Sequence, residues 1–334
     1  MASWTSKIFT SSSFDRHIII PRLLFIIIIS LLLVYMARKN YQYAQKLKQK
    51  HHGVGGIEGF AQNDRFVTKD QKETYDDFYA SKYDELHAER TSIVALENII
   101  ASTQATTENS HFLDIGCGTG HLVDTLMNKQ FAVKGIDWSE AMVKRARKRN
   151  SSAVIKCGDV TQPLSFDRNQ FTHIMCLDFT LYEFTPEQRT TLYRIIHGWL
   201  KPNGYFVVHV ADGDKFKKVM TATRDTKTPL FHMGYETYDT DTIEFPGFSY
   251  QRKYMPTTTS IVSTSSTTST ACMNRIETFV DKHTERVRKN ELSLHIESIS
   301  ETTKSIMSCG FVIQGQIDLE VDPKHQKILI FERV

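Results

Sequence analysis

Between Phe112 and Val210 short apolar runs alternate with longer stretches of helical periodicity, and few folds accept that order. Phe112 to Ile115, Phe131 to Ile136, Ala153 to Cys157, Phe171 to Leu177 and Tyr205 to Val210 read as buried strands. His121 to Lys129, Ser139 to Arg149 and Pro186 to Leu200 read as helices. Successive strands separated by a helix pair in parallel, with helices covering both faces of the sheet. A ligand then sits over the carboxyl ends of the strands, where the chain switches direction.

The first strand-to-helix turn, "LDIGCGTGHL" at 113–122, carries glycines at 116, 118 and 120. Missing side chains let backbone approach a ligand and take positive φ. A dinucleotide fingerprint places its third glycine one residue later, where this chain has His121. Glycines at alternate positions behind Asp114 suit a positively charged ligand without a pyrophosphate. Asp137 ends the next strand and is either a ligand contact or the cap of the helix starting at Ser139. Acids at two successive strand ends favour the ligand.

"LDIGCGTG" resembles the first motif of the class I S-adenosylmethionine-dependent methyltransferases. "GIDWSEAMVKRARKR", starting at Gly135, resembles the second, "KCGDV" at 156–160 the third, "FTHIMCLDFTLYEF" at 171–184 the fourth strand and its loop, and "WLKPNGYFVVHV" at 199–210 the following strand. The resemblance implies a Rossmann-like, doubly wound α/β fold with a mainly parallel seven-stranded sheet whose last strand is reversed. It implies S-adenosyl-L-methionine as cofactor, held by Asp114, Gly116, Cys117, Gly118, Thr119, Gly120, Asp137, Trp138, Met142, Asp159, Val160 and Leu177. Asp137 would accept hydrogen bonds from the ribose hydroxyls, and Asp159 with Val160 would meet the adenine. "TYDDFYASKYDELH" at 74–87 resembles the leading helix over the cofactor, with Tyr75 and Tyr83 as lid candidates or simple packing.

Tyr182, Glu183 and His209 are the catalytic candidates, with Glu183 or His209 as base for a hydroxyl or carbon nucleophile. Phe179, Tyr182 and Phe184 are a candidate aromatic wall around a cationic or lipid-like acceptor. The acceptor is expected to be a small molecule, a lipid or a membrane-proximal protein. An inactive scaffold of the same fold is the alternative, and glycine spacing argues against a nicotinamide-dependent oxidoreductase. A net charge of +3 and no N-P-P-Y-type signature after the fourth strand make nucleic acid a poor partner. Five scattered cysteines without a C-x-x-C pair suggest neither a disulfide framework nor a metal site. The sequence is silent on oligomeric state.

"LLFIIIISLLLVYMA", from Leu23, is uncharged; with Ile18 to Ile20 upstream it nearly spans a bilayer as a helix. It lacks a small-residue cleavage site and is followed by Arg38, Lys39, Lys46, Lys48 and Lys50, which predicts a retained single-pass anchor with the larger part of the chain in the cytosol. A mitochondrial membrane is the second reading, because the first residues are serine-rich with few acids. The expected organisation is a tail over 1–17, an anchor over 18–37, a basic, glycine-containing stalk over 38–70 and a catalytic domain over 71–334. An insertion at 213–299 is expected to form a substrate cover of antiparallel strands, with Leu292, Leu294 and Ile296 on one face and a Ser/Thr-rich loop or hinge at Thr257 to Thr270. A helix from Ser300 to Ser308, a stop at Gly310 and two closing strands complete the reading.

Overall fold

The computed structural model describes residues 34–36, 38–39, 64–87, 90–212, 242–256, 271–319 and 325–334. The chain divides into two units, Met1–Gly55 and Gly56–Val334. In the first, residues 34–36 and 38–39 are helical and exposed, and most of the expected anchor lies outside the described residues. Among the described residues no helix is long and apolar enough to cross a membrane.

The second unit begins with β1 (Phe66–Asp70), α1 (Gln71–Thr74), α2 (Asp77–Leu86), α3 (Thr91–Val94) and α4 (Leu96–Thr103). The expected alternation follows as β2 (His111–Ile115), α5 (His121–Asn128), β3 (Ala132–Asp137), α6 (Glu140–Arg149), β4 (Val154–Cys157), β5 (Phe171–Cys176), α7 (Pro186–Trp199) and β6 (Leu200–Ala211). The insertion supplies β7 (Thr242–Phe245), β8 (Phe248–Pro256), β9 (Ala271–Asp281) and β10 (Val287–Ile296). The chain then runs through α8 (Ile299–Met307), β11 (Phe311–Asp318) and β12 (Gln326–Arg333).

Seven strands form one sheet in the order β11-β12-β6-β5-β2-β3-β4. β12 is antiparallel to both β6 and β11, and the pairs from β6 through β4 are parallel, so the reversed last strand is where it was expected. Side chains alternate between two cores, as a sheet covered on both faces requires. Leu113, Ile174, Phe206 and Val208 meet Leu192 and Ile196 of α7 and Ile306 of α8 on one face. Phe112, Met175, Val207 and Ile330 meet Leu96 and Ile99 of α4 and Leu122 and Leu126 of α5 on the other. Each fully buried side chain of this size contributes about 1.5 to 3 kcal/mol. Helix starts follow local chemistry: Thr185 and Gln188 form a capping box ahead of Pro186, and Ser298 with Glu301 forms another.

The insertion builds a second, five-stranded sheet, β1-β10-β9-β8-β7. Its four inserted strands are antiparallel as expected, and Leu292, Leu294 and Ile296 are buried together. The stalk expected over 38–70 ends earlier than that, because Phe66–Asp70 pairs in parallel with β10. The alternating exposure of its short run resembles a polar linker until a partner strand is found far along the chain. Residues 213–241 of the insertion and the Ser/Thr-rich stretch at 257–270 lie outside the described residues.

Candidate functional site

A cleft of about 330 Å³ opens over the carboxyl ends of β2, β3, β4 and β5. Gly116 and Gly118 form one wall, Asp137 and Trp138 the next, Asp159 and Val160 the third, and Thr180 and Glu183 the fourth. Tyr75, just after α1, and Tyr83 of α2 line it from the leading segment. β2 and β5 are parallel neighbours whose crossovers leave in opposite directions, the topological switch point of this sheet.

The three glycines have different jobs. All take positive φ, at +70°, +51° and +79° for Gly116, Gly118 and Gly120. A Cβ on Gly116 would lie 2.4 Å from Thr180 Cγ2, and one on Gly120 would lie 2.8 Å from Ala146 Cβ of α6. Their missing side chains admit other parts of the protein. At Gly118 the nearest atom to such a Cβ is Tyr83 Cε1 at 3.7 Å, so its empty space belongs to the cleft. Replacing Gly120 by Ala should therefore cost about 2 to 5 kcal/mol of stability through overpacking and left-handed strain. A thermal melt of the variant that matches the parent would remove this packing role.

Asp137 joins the glycine loop to the next helix. Its Oδ2 accepts from the Gly118 amide at 2.9 Å and its Oδ1 from the Ser139 amide at 2.9 Å. The rival reading of Asp137 as helix cap is corrected: Ser139 caps α6, its Oγ accepting from the Met142 amide at 3.2 Å and donating to the Tyr75 carbonyl at 2.6 Å. Burial pushes the Asp137 pKa up to about 6, against the pull of the Ser139 and Gly118 amides toward the charged form. Asp159 lines the cleft while its Oδ1 accepts from the Thr161 amide and hydroxyl at 2.8 and 2.7 Å, so it is both a turn residue and a wall residue. Trp138 packs edge-on against Tyr75 with ring centroids 5.5 Å apart. Met142 and Val160 are buried and line the cleft.

Other expected cofactor residues stand behind this wall. Asp114 is buried at the end of β2, where burial and then the Asp178 and Asp137 carboxylates hold its carboxyl well above the usual range. Cys117 is buried in the core beside Ile155, in the small space that Gly135 leaves. The Thr119 hydroxyl donates to Asp84 Oδ1 at 2.5 Å and its carbonyl accepts from Arg149 Nε at 2.9 Å, tying α2 and α6 to the glycine loop. Leu177 lies in the core beneath the sheet. These four and Gly120 support the loop from behind.

Of the three catalytic candidates, Glu183 faces the cleft and two do not. The Tyr182 hydroxyl is buried, accepting from the Ala211 amide at 2.6 Å and donating to the Ala211 carbonyl at 3.1 Å. It ties the turn after β5 to the end of β6. His209 is fully buried with its ring 4.0 Å from that of Phe179, and burial lowers its pKa to about 4 despite Asp178 and Gln326. Neither side chain lines the cleft: Tyr182 lies on the short turn Thr180–Glu183 after β5, and His209 lies on β6 with its ring against Phe179. Within the proposed aromatic wall, Phe184 lines the cleft, whereas Phe179 stacks between Tyr182 and His209.

The loop carrying Glu183 is strained and anchored. Asp178 and Phe179 both take left-handed backbone, at φ 49° and 65°. The Asp178 carboxylate accepts from the Ser92 amide at 3.0 Å and hydroxyl at 2.6 Å, which holds the loop against α3. Asp178→Ala should lower stability by about 1 to 3 kcal/mol by leaving these donors without their acceptor, as read by chemical denaturation. An unchanged midpoint would dismiss the anchor.

Sequence reasoning missed the charged face of the second sheet. Arg275 and Glu277 are buried on β9, with Arg275 Nε 3.8 Å from Glu277 Oε2 and Arg252 Nε 3.3 Å from Glu277 Oε1. Arg275 Nη2 donates to the Tyr75 hydroxyl at 3.2 Å, and that hydroxyl donates to the Glu183 carboxylate. Burial raises the Glu183 pKa, with Arg275 and then Tyr75 pulling it back. Strand alternation places Arg275, Glu277 and Phe279 on one face, the available signal.

A cofactor with a ribose and a methionine end fits what is present: open space at Gly118, a buried carboxylate at Asp137, and aromatic and apolar walls at Trp138 and Val160. The family model described as "Methyltransferase domain" matches residues 112–204. A "Putative methyltransferase YqeM" of Bacillus subtilis is 30% identical over 144 residues, 42% of this chain and 57% of that protein. The chain thus spans about half the length of the curated relatives it matches. The CcbJ methyltransferase of Streptomyces caelestis superposes with a TM-score of 0.57 at 14% identity, covering 79% of this chain and 99% of that one. An S-adenosylmethionine-bound amino pentose methyltransferase of Micromonospora echinaspora, CalS10, superposes with a TM-score of 0.51 at 15% identity, covering 76% and 96%. These likenesses support a methyltransferase domain of the class I fold.

Proposed function

We propose that this protein is an S-adenosylmethionine-dependent methyltransferase that acts on a small-molecule acceptor and is tethered to a membrane by residues 18–37, with its catalytic unit on the cytosolic side. The observation that carries the reading is Gly118 and Asp137 facing one cleft at the switch point of the sheet. Asp137 would hold the ribose, Trp138 and Val160 the adenine, and the space above Gly118 the methionine end. The cofactor supplies a methyl group on a sulfonium, which an acceptor displaces in line. The protein's part is to align the two and keep water out, so Tyr75 and Tyr83 roofing the cleft bear on rate as well as on binding.

Calorimetric titration of the detergent-solubilised chain with S-adenosylmethionine, S-adenosylhomocysteine and NAD in parallel tests the cofactor. Heat from the first two alone is the expected result; heat from NAD alone would overturn it. Binding without turnover on any acceptor would favour a scaffold, the reading that the inward-facing Tyr182 and His209 recommend.

The anchor rests on the uncharged run and the basic residues after it. Asn150 heads an Asn-Ser-Ser sequon, but its amide already donates to Asp124 Oδ1 at 2.8 Å. Orientation is therefore better read by protease digestion of sealed vesicles. Degradation from the cytosolic side is expected; protection, or a glycosidase-sensitive mass shift, would reverse the topology.

A further inference from the structure

We infer that the methyl acceptor is an amine, bound as its ammonium by Glu183, which takes its proton before the methyl group moves. The inference rests on the function proposed above and names the acceptor class of the same cleft.

Charge on the cleft wall is the first argument. Asp137, Asp159 and Glu183 line the cleft against Lys72 at its rim, while Arg90 and Arg275 act on the lining phenols and on Glu183 from outside it. Acids outnumber cations on the lining itself, an arrangement that favours a positively charged guest. Tyr75 and Trp138 line the same space with aromatic surface that attracts cations, and the Tyr83 ring beside them already carries the Arg90 guanidinium 5.1 Å from its centroid.

The direction of the hydrogen bonds is the second. Arg275 donates to the Tyr75 oxygen and Tyr75 donates to Glu183, so the tyrosine proton is committed to the carboxylate. Burial and then the Glu183 charge push the Tyr75 phenol well above its ordinary range. Tyr75 is thus a positioning donor, and Glu183 remains the base at this wall. His295 of β10 also borders the cleft, with its Nδ1 against Cys272 Sγ at 3.3 Å, and Lys72 of α1 stands exposed at the rim. A buried carboxylate is matched to the proton of an ammonium far better than to that of an alcohol.

In the step, the ammonium gives one proton to Glu183 and its freed lone pair attacks the methyl carbon. The nitrogen–carbon bond forms as the carbon–sulfur bond breaks, and that bond's electron pair stays on sulfur, leaving S-adenosylhomocysteine. The methylated nitrogen carries the positive charge away.

The test uses the detergent-solubilised full chain and methyl-labelled S-adenosylmethionine with n-hexylamine, glucosamine, glucose, phenol, hexanoate and hexanethiol as separate acceptors. Label is expected in the amines, with kcat/KM falling at low pH as Glu183 takes up a proton. Glu183→Gln should lose about 100-fold or more and the acid limb with it. Tyr75→Phe, which removes a donor to the carboxylate, should move that limb to higher pH. Calorimetry on each variant reports whether it still carries the cofactor. Label only in hydroxyl, carboxylate or thiol acceptors, no label in either amine from protein that binds the cofactor, or amine methylation undiminished in Glu183→Gln would each overturn the inference. Failure to bind S-adenosylmethionine would instead overturn the function on which it rests.

Discussion

Asp137→Ala is expected to weaken S-adenosylmethionine binding by about two to four orders of magnitude. Two charge-assisted hydrogen bonds to the ribose, at about 1.5 to 3 kcal/mol each, set that range. Asp137→Asn keeps the shape and one acceptor oxygen and should fall between parent and Ala. pH supplies an independent check. With the carboxyl titrating near 6 in the free protein, the hydroxyls need its ionised form. Affinity of the parent should therefore drop as pH falls below about 6, by up to tenfold per unit, and the Asn variant should lack that slope. Stability of the free protein runs the other way. The folded pKa lies above the ordinary 3.8, so this carboxyl favours folding at low pH, and its contribution is lost as pH rises from about 4 through 6. Calorimetry and melts at pH 5 and 7 read both slopes, and an affinity independent of pH would take Asp137 out of the site.

Gly118→Val should abolish measurable cofactor binding, a loss of at least about 1,000-fold, while the protein stays folded. At φ +51° any L side chain carries left-handed strain, about 1 to 2 kcal/mol. The added Cβ meets Tyr83 Cε1 at 3.7 Å, an ordinary contact, so the core does not oppose it. Its branches instead fill the space where the methionine end of the cofactor belongs. Circular dichroism resembling the parent with no heat on titration is the expected pair of results. A folded variant that binds would show that the cofactor lies elsewhere.

The parallel part of the sheet was readable because period and length agree: runs of four to seven apolar residues between amphipathic stretches have few other homes. Asp137 was readable because strand ends recur in the pattern. Tyr182 and His209 stand away from the cleft for reasons that residue type does not encode: the Tyr182 hydroxyl closes on Ala211 and the His209 ring packs on Phe179. Glu183 and Tyr182 are adjacent, and one faces the cleft while the other closes on Ala211. Arg275 and Glu277 are hard to read for another reason: charges in an alternating strand read as solvent-facing, yet here both are buried, with Glu277 held by Arg252 and by the Tyr250 hydroxyl. β1 could not be found locally, since its pairing partner β10 lies at the far end of the insertion.

β12 lies between β6 and β11, although it is made after both. On the ribosome, β6 therefore emerges with one edge unpaired and keeps it so until Gln326–Arg333 clears the exit tunnel. A stalled or prematurely terminated product presents that edge, flanked by the apolar faces of Phe206, Val207 and Val208, to any neighbouring chain. Emergence of Gln326–Arg333 and closing of the sheet are thus one event, and copies that stop short of that strand should be aggregation-prone and fall to quality control.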